Sequence, residues 1–268
     1  MLDAGMRYDI ITLFPELFAP FFEHGINRRA FATGVVEVHV WSLRDFADGT
    51  YRRVDDRPFG GGPGMVMMAE PLARCWSAVQ AQRQAAGAAP APTVLFSPLG
   101  QPINHRVVAQ EAAGPGGIWV CGRYEGIDQR FIDQCVDQQI SLGDFVLSGG
   151  EVAAIALLDA VARLQPGVLN DAESHQQDSF HPSLDGLLDC PHYTRPEVWQ
   201  GPRGPASVPE VLLSGHHAQI DQWRRRQRLA VSAQWRPDLL ANARAAGQLT
   251  QRDEDALRSL DHGEGGTL

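Results

Sequence analysis

The chain contains no lysine, and all 23 of its basic side chains are arginine. The 32 acidic side chains outnumber them, and the formal net charge of −9 argues against a protein that holds nucleic acid through an overall positive surface. Arginine suits bidentate contacts to phosphates and base edges, but a chain-wide lack of lysine is more typical of genome composition. Local groups of arginine are therefore more informative than the total charge.

Cysteine is also scarce. The four cysteines form no C-x-x-C pair, so neither a zinc knuckle nor a disulfide framework is indicated, and a reducing cytoplasm is expected. No apolar run approaches the roughly 20 residues that cross a bilayer, and the first residues lack the pattern of a secretion signal. The nine histidines show no paired ligand spacing, so no metal cage is predicted.

Strand-like and helix-like segments alternate over the first half of the chain. Apolar runs predict strands at 8–13, 35–41, 93–96, 118–121 and near 140. Helical periodicity is found at 71–84, 104–113, 127–136 and 151–164. Such alternation predicts an α/β layer with a mainly parallel sheet.

The composition changes after this region. Residues 167–188 are polar and have little periodicity, which is typical of a linker, and the segments beyond Pro209 read as helices. We therefore expect a first domain over 1–166 and a small all-helical domain over 189–268.

Two glycine-rich runs indicate a binding site. They are C-G-R-Y-E-G-I-D at 121–128 and S-L-G-D-F-V-L-S-G-G-E at 141–151, and each follows a predicted strand. Glycine at a strand end lets the backbone turn sharply or approach a ligand closely. With Ser97-Pro98 at the end of another strand, these runs predict a pocket at the carboxyl edge of the sheet.

A third glycine run, D-D-R-P-F-G-G-G-P-G-M at 55–65, matches neither a P-loop nor a dinucleotide fingerprint. A floppy surface loop and a mobile loop that closes over a site both fit this run, and the residues alone leave the choice open.

Three charged groups have both an ordinary and a functional interpretation. Asp178 lies in the predicted linker, where most aspartates are solvent-facing caps. Arg163 lies near the end of an apolar helix, where a cation complements the helix dipole. The block from Arg224 to Arg228 is either a solvated helix face or a site for an anionic partner.

Taken together, the motifs resemble one family. The three glycine runs, D-S-F at 178–180 and G-L-L-D-C-P-H-Y-T-R-P-E-V at 186–198 are similar to those of the bacterial tRNA (guanine-N1)-methyltransferases, the TrmD family of the knotted SPOUT superfamily. The similarity runs from about residue 8 to residue 235. It implies S-adenosylmethionine-dependent methylation of N1 of the guanine immediately 3′ of the anticodon. It also implies a deep trefoil knot, a homodimer with shared active sites and magnesium as an assisting ion without a dedicated protein cage.

The resemblance assigns roles to residues and domains. It makes 1–166 the cofactor-binding domain and 189–268 the tRNA-binding domain, with Asp178 as general base and Arg163 as its electrostatic partner. The expected cofactor-binding residues are Pro98, Gly122, Tyr124, Glu125, Leu142, Gly143, Asp144, Phe145, Val146, Leu147, Gly149 and Gly150. The expected RNA-binding residues are Arg195, Arg203, Arg224, Arg225, Arg226 and Arg228.

The chain departs from the family pattern in a few places. Leu142 and Phe145 replace an isoleucine and a tyrosine, and the stretch 181–185 is longer by a few residues. A non-catalytic RNA-binding module and a knotted ribose 2′-O-methyltransferase are the alternatives. The paired Asp178 and Arg163 favour an enzyme, and the 55–65 loop and the C-P-H-Y-T-R-P stretch fit the guanine enzyme better.

Overall fold

The computed structural model describes residues 5–169 and 174–261, and the chain divides into two compact units between residues 172 and 173. In the first unit the elements are β1 (Met6–Thr12), a 3₁₀ helix (Pro15–Leu17), α1 (Ala19–Glu23), α2 (Arg28–Ala32), β2 (Val36–Ser42), a 3₁₀ helix (Leu43–Phe46), β3 (Asp55–Asp56), β4 (Val66–Met67), α3 (Ala69–Ala85), β5 (Thr93–Pro102), α4 (His105–Ala113), β6 (Gly116–Cys121), α5 (Gln129–Cys135), β7 (Gln138–Ser141) and α6 (Glu151–Arg163).

A five-stranded sheet forms the centre of this unit, in the order β2-β1-β6-β5-β7. Every neighbouring pair in it is parallel. The sheet confirms the predicted α/β class, and β1 and β6 are buried along their whole length, as expected for strands covered on both faces.

Helices cover the two faces of the sheet. Tyr8 and Trp119 belong to a core shared with α4 and α6, whereas Leu95 and Val120 pack with α3 and α5. The alternation of side chains along each strand sends neighbouring residues to opposite cores. The carboxyl edge of the sheet is thus left to the loops.

Strand β5 is longer than the predicted 93–96. Its pairing with β7 shifts register between Phe96 and Gln101, so residues 97–100 bulge out of the strand before pairing resumes. Gly100 makes the bulge possible, because a Cβ there would lie 2.4 Å from the backbone nitrogen of Ile140. Apolar periodicity gives no sign of such a return to the sheet.

The second unit contains a 3₁₀ helix (Ser174–Gln177), a 3₁₀ helix (Pro182–Leu184), β8 (Val198–Gly201), β9 (Gly204–Ser207), α7 (Glu210–Leu213), α8 (His217–Trp235), α9 (Pro237–Ala245) and α10 (Gln251–Asp261). Its core joins Leu187 to residues of α8, α9 and α10, among them Leu229 and Leu240.

This unit differs from the all-helical expectation by one antiparallel ribbon, β8–β9. The ribbon is almost wholly exposed, so its residues show no alternation of apolar and polar side chains that would identify strands. The part of the predicted linker from residue 174 onward forms the two 3₁₀ helices, and Leu187 is buried in the core. Residues 1–4 and 262–268 of the predicted domains and residues 170–173 of the predicted linker lie outside the described residues.

Within the ranges 5–169 and 174–261, no helix is both long and apolar enough to span a membrane.

A buried carboxylate joins α3 to two strands. Asp9 on β1 lies 2.8 Å from the guanidinium nitrogens of Arg7 and Arg83 and accepts a hydrogen bond of 2.9 Å from Trp41 Nε1. Burial acts to raise the pKa of Asp9, but the hydrogen bonds from Arg7, Trp41 and Arg83 outweigh it and lower the pKa. Asp9 is therefore a carboxylate at neutral pH and compensates two buried cations.

Replacing Asp9 by asparagine should lower the free energy of unfolding by about 3 to 5 kcal/mol, because Arg7 and Arg83 would lose their counter-charge while remaining buried. The stabilisation is present above the unfolded-state pKa and is lost as the pH falls through the lower folded-state pKa. Urea denaturation at pH 7 and in acid measures both effects. Asp45→Asn, at an exposed pair with Arg52, is the control and should unfold like the unchanged protein. Equal stability of the Asp9 variant at pH 7 would contradict this account.

Candidate active site

Three loops meet at the carboxyl edge of the sheet, where β6, β5 and β7 lie side by side. We call the bulge of β5 at residues 97–100 the first loop, residues 122–128 the second loop and residues 142–150 the third loop. All twelve predicted cofactor residues lie in these three loops. Loops at the carboxyl ends of adjacent parallel strands form the usual ligand crevice of open α/β sheets.

The third loop leaves the edge strand β7 and returns across β5 to the end of β6. The N–H of Gly150 donates to the carbonyl oxygen of Gly122 at 3.0 Å. A Cβ on Gly150 would lie 2.9 Å from the Cα of Cys121 and 3.0 Å from the Cβ of Phe96. Because neither atom can move independently of its strand, the absence of a side chain at residue 150 lets the loop lie directly on the strand ends.

A buried ion pair fixes this crossing. Glu151 opens α6 with only 1 % of its side chain exposed, and Arg123 Nε donates to its Oε2 at 2.9 Å. Thr12 Oγ1 donates to the other carboxylate oxygen at 2.7 Å. The same guanidinium donates to the carbonyl oxygen of Ser148 at 3.1 Å and lies 4.5 Å from the centre of the Phe14 ring. One carboxylate thereby joins the end of β1, the second loop and the third loop.

Sequence reasoning did not single out Arg123 or Glu151. A signal was present, because a carboxylate directly after Gly-Gly opens an otherwise apolar helix, and a charge at that point needs a partner once it is buried. Burial and the charge of Glu151 also raise the pKa of the neighbouring Cys121 thiol, which is therefore a packing group rather than a nucleophile.

The 55–65 run forms the tip of the β3–β4 ribbon. Glu125 N–H donates to the carbonyl oxygen of Met65 at 3.0 Å, and Met67 N–H donates to the carbonyl oxygen of Gly126 at 2.9 Å. The base of the ribbon is thus tied to the second loop, while the tip is exposed and Phe59 is fully so. Both interpretations of this run, a surface loop and a loop that closes over the site, are compatible with an exposed tip on a fixed base.

Each of the three loops exposes an apolar side chain. Leu99, Tyr124 and Phe145 are 84 %, 47 % and 56 % exposed. Burial and the carboxylate of Asp55 raise the pKa of Tyr124, so its hydroxyl stays protonated. A main-chain cradle edged by apolar side chains fits a nucleoside-like ligand such as S-adenosylmethionine.

The two predicted catalytic residues lie away from these loops along the chain. Arg163 is the last residue of α6, so the full helix separates it from Gly150, a distance of about 20 Å along the axis at about 1.5 Å per residue. Asp178 belongs to the second unit. Its N–H donates to the carbonyl oxygen of His175 at 3.3 Å, and its own carbonyl oxygen accepts from His181 N–H at 3.2 Å.

The predicted RNA-binding arginines fall into two groups. Arg195, Arg203 and Arg226 are exposed, and none forms an ion pair with a residue in the described ranges. Arg203 lies in the tight turn between β8 and β9. The others are paired: Arg225 binds Asp185 and Asp253, Arg228 lies 3.3 Å from Asp189, and Arg224 lies 3.9 Å from Asp221.

A polar pocket of about 300 Å³ opens beside two of these arginines. Gln176, Gln177 and Ser183 line it together with Asp221, Arg224 and Arg228. Over residues 5–169 and 174–261, no three side chains of His, Cys, Asp or Glu group in a way that could hold a metal ion.

Comparison with known proteins adds to this geometry. The family described as tRNA (Guanine-1)-methyltransferase TrmD matches residues 6–242. The chain is 66 % identical to a protein named tRNA (guanine-N(1)-)-methyltransferase from Polaromonas sp. (strain JS666 / ATCC BAA-500), over 95 % of this chain and 97 % of that protein. It is also 66 % identical to a protein of the same name from Paracidovorax citrulli (strain AAC00-1), over 96 % of this chain and 99 % of that protein. A protein of the same name from Bordetella pertussis is 54 % identical over 95 % of this chain and 98 % of its own.

Gly150→Ala should weaken S-adenosylmethionine binding by about 10-fold, because overpacking against fixed backbone costs about 1 to 3 kcal/mol. Isothermal titration calorimetry measures the affinity. Gly143→Ala is the control in the same loop, since its nearest neighbour at 2.7 Å is the ring edge of Phe145, which can turn aside, and its loss should be smaller. Unchanged affinity of the Gly150 variant would show that the crossing does not shape the pocket.

Proposed function

The chain belongs to the tRNA (guanine-1)-methyltransferase family, and we propose that it methylates N1 of the guanine immediately 3′ of the anticodon. It is a tRNA (guanine-N1)-methyltransferase and uses S-adenosylmethionine, as its class requires. The observation that carries the site assignment is the convergence of the three loops, which gathers every predicted cofactor residue at one edge of the sheet.

The three loops would hold the cofactor. Main-chain groups around Gly122, Leu142 and Gly150 would meet the polar atoms of the nucleoside, and the exposed apolar side chains would cover its faces. When bound, S-adenosylmethionine supplies a methyl group on a positively charged sulfur. The chain's own task is to present guanine N1 to that methyl group and to remove the N1 proton.

Asp178 is the proposed general base. Guanine N1 carries a proton at neutral pH and becomes a good nucleophile when that proton is withdrawn, and a carboxylate within hydrogen-bond reach can accept it. Negative charge then builds on O6, which the guanidinium of Arg163 would stabilise. The target base has to leave the stack of the anticodon loop to reach the site.

We propose that each active site uses two chains. Within one protomer, α6 holds Arg163 about 20 Å along its axis from Gly150, which favours a guanidinium that serves the base bound at the loops of the other protomer. A homodimer would bring Arg163 and Asp178 of one chain to the cofactor of the other. Val146 and Val152, 85 % and 56 % exposed, are suited to such an interface.

A trefoil knot is part of the proposal. The path of the third loop supports it, since the chain leaves β7, crosses β5 and comes to rest on β6. Such threading is rare among folds. A cytoplasmic location follows from the tRNA substrate.

We assign no catalytic step to magnesium. The described residues contain no cluster of three metal-binding side chains, so they do not fit a dedicated site for the ion.

Arg195, Arg203 and Arg226 are the proposed phosphate contacts in the second unit. Their exposure supports this role, since a phosphate can reach them without displacing a carboxylate. Arg224 and Arg228 face the polar pocket and would add contacts there.

Asp178→Asn should lower the single-turnover rate of methyl transfer by on the order of 10²-fold or more, because it keeps the shape and removes the base. Calorimetry with S-adenosylmethionine and filter binding with tRNA should give affinities close to those of the unchanged protein. A transcript without guanine at the target position is the substrate control, and nucleoside analysis of the product distinguishes base from ribose methylation. A near-normal rate would rule out Asp178 as the base.

Replacing both Arg203 and Arg226 by glutamine should flatten the dependence of log affinity for tRNA on log salt concentration by roughly two units, about one for each phosphate contact. The matched control is Arg258→Gln on α10, where the arginine is exposed but paired with Asp255. An unchanged slope in the double variant would show that neither arginine contacts an RNA phosphate.

A further inference from the structure

We infer that Arg225 is a positioning residue, which holds the turn carrying Asp178 to the helical core through Asp185, and is not a contact to RNA. The inference rests on the proposed role of Asp178 as general base. It separates Arg225 from the neighbouring arginines of the same block.

Two carboxylates bind all three nitrogens of the Arg225 guanidinium. Its Nε and Nη2 donate to the two oxygens of Asp253 at 3.0 and 3.1 Å, and its Nη1 donates to Asp185 Oδ2 at 2.7 Å. About a quarter of each of the Arg225 and Asp185 side chains is exposed, and Asp253 is buried. One guanidinium thus links α8 to α10 and to the segment that follows Asp178.

That segment is a closed set of hydrogen-bonded turns. His181 N–H donates to the carbonyl oxygen of Asp178 at 3.2 Å, and Gly186 N–H donates to that of His181 at 3.1 Å. Asp185 ends the 3₁₀ helix Pro182–Leu184 in the left-handed region, with φ of 56°. A displacement of Asp185 should therefore also displace Asp178, because the two turns between them have few free dihedral angles.

Other contacts keep the segment folded without the ion pair. Phe180 N–H donates to the carbonyl oxygen of the buried Leu187 at 2.9 Å, and Asp189 N–H donates to Ser179 Oγ at 2.9 Å. Loss of Asp185 alone should consequently change the position of Asp178 without unfolding the unit.

The stretch at 181–185 gives the anchor its purpose. It contains the 3₁₀ helix between D-S-F and G-L-L-D, and each residue in such a connection adds to the conformations open to it. The ion pair between Asp185 and Arg225, which α10 already holds through Asp253, restricts the conformational freedom of this stretch.

The state of Arg225 argues against an RNA contact. All three of its nitrogens already donate to carboxylate oxygens, and a phosphate that displaced either carboxylate would leave a partly buried charge unpaired. Arg226, the next residue, is exposed and forms no ion pair with any described residue. The two positions therefore form a matched pair for experiment.

Asp185→Asn is the decisive variant, because asparagine tolerates the left-handed backbone and leaves the Arg225–Asp253 pair in place. The single-turnover rate at saturating enzyme should fall roughly 10- to 100-fold, the cost of a displacement of about 1 Å in a catalytic group. The affinities for S-adenosylmethionine and tRNA, the salt slope and the melting temperature should stay close to those of the unchanged protein.

Arg225→Gln should lower the single-turnover rate as much as Asp185→Asn does. The double variant should be no slower than Arg225→Gln alone, because the two residues form one interaction and their effects should not add. Arg226→Gln should behave differently, with weaker tRNA binding and a flatter salt slope. Arg258→Gln, at the exposed pair with Asp255, should leave the rate unchanged.

A normal rate in Asp185→Asn would overturn the inference. So would a loss in Arg225→Gln that appears as weaker tRNA binding with a flatter salt slope, since Arg225 would then be an RNA contact. Asp178→Asn in the otherwise unchanged chain tests the proposed function separately. If this variant stays active, the assignment of Asp178 as the base fails. If Asp178→Asn is inactive while Asp185→Asn and Arg225→Gln keep a normal rate, only the role of Arg225 fails.

Discussion

The buried carboxylate of Glu151 is the interaction on which the candidate site depends. It receives hydrogen bonds from Thr12 and Arg123, and so holds the end of β1 and the second loop at the start of α6. The third loop can cross β5 because its last two residues have no side chains: a Cβ on Gly149 would collide with that ion pair, and a Cβ on Gly150 with the strand ends. A charge placed in a core normally costs stability; here it makes three separate chain segments adopt one arrangement.

A second buried carboxylate, Asp9, also joins separate chain segments, on the face of the sheet that α3 covers. It compensates two arginines, and the fork of each guanidinium reaches more than one acceptor: Arg7 also donates to Gln82, and Arg83 also donates to the carbonyl oxygen of Ala89. An ammonium group has no such rigid fork. In a chain without lysine, every internal cation is able to bridge in this way, as Arg225 does between Asp185 and Asp253.

Local chemistry explains what could be predicted from the sequence. Asn104 caps α4 by accepting from the N–H of Val107, and β6 carries a continuous apolar run over 118–121, so the type and position of both elements follow from neighbouring residues. The three loops were predicted for the same reason. The bulge in β5 and the Arg123–Glu151 pair were not, because each depends on partners far along the chain. The ribbon β8–β9 was missed because its exposed residues carry no alternating pattern. The split among the arginines is of this kind too, since Arg225 and Arg226 are identical in sequence terms and differ only in what faces them.

Helix α6 acts as a rigid spacer between the crossing at Gly150 and the guanidinium of Arg163. Its interior is apolar and closely packed, with Ala154, Leu157 and Leu158 fully buried, so the spacing is set by the number of residues rather than by their identity. Each residue advances the axis by about 1.5 Å and turns it by about 100°. Insertion of a single residue would point Arg163 in another direction altogether while leaving every motif intact. The length of this helix is therefore a more stringent requirement than its composition.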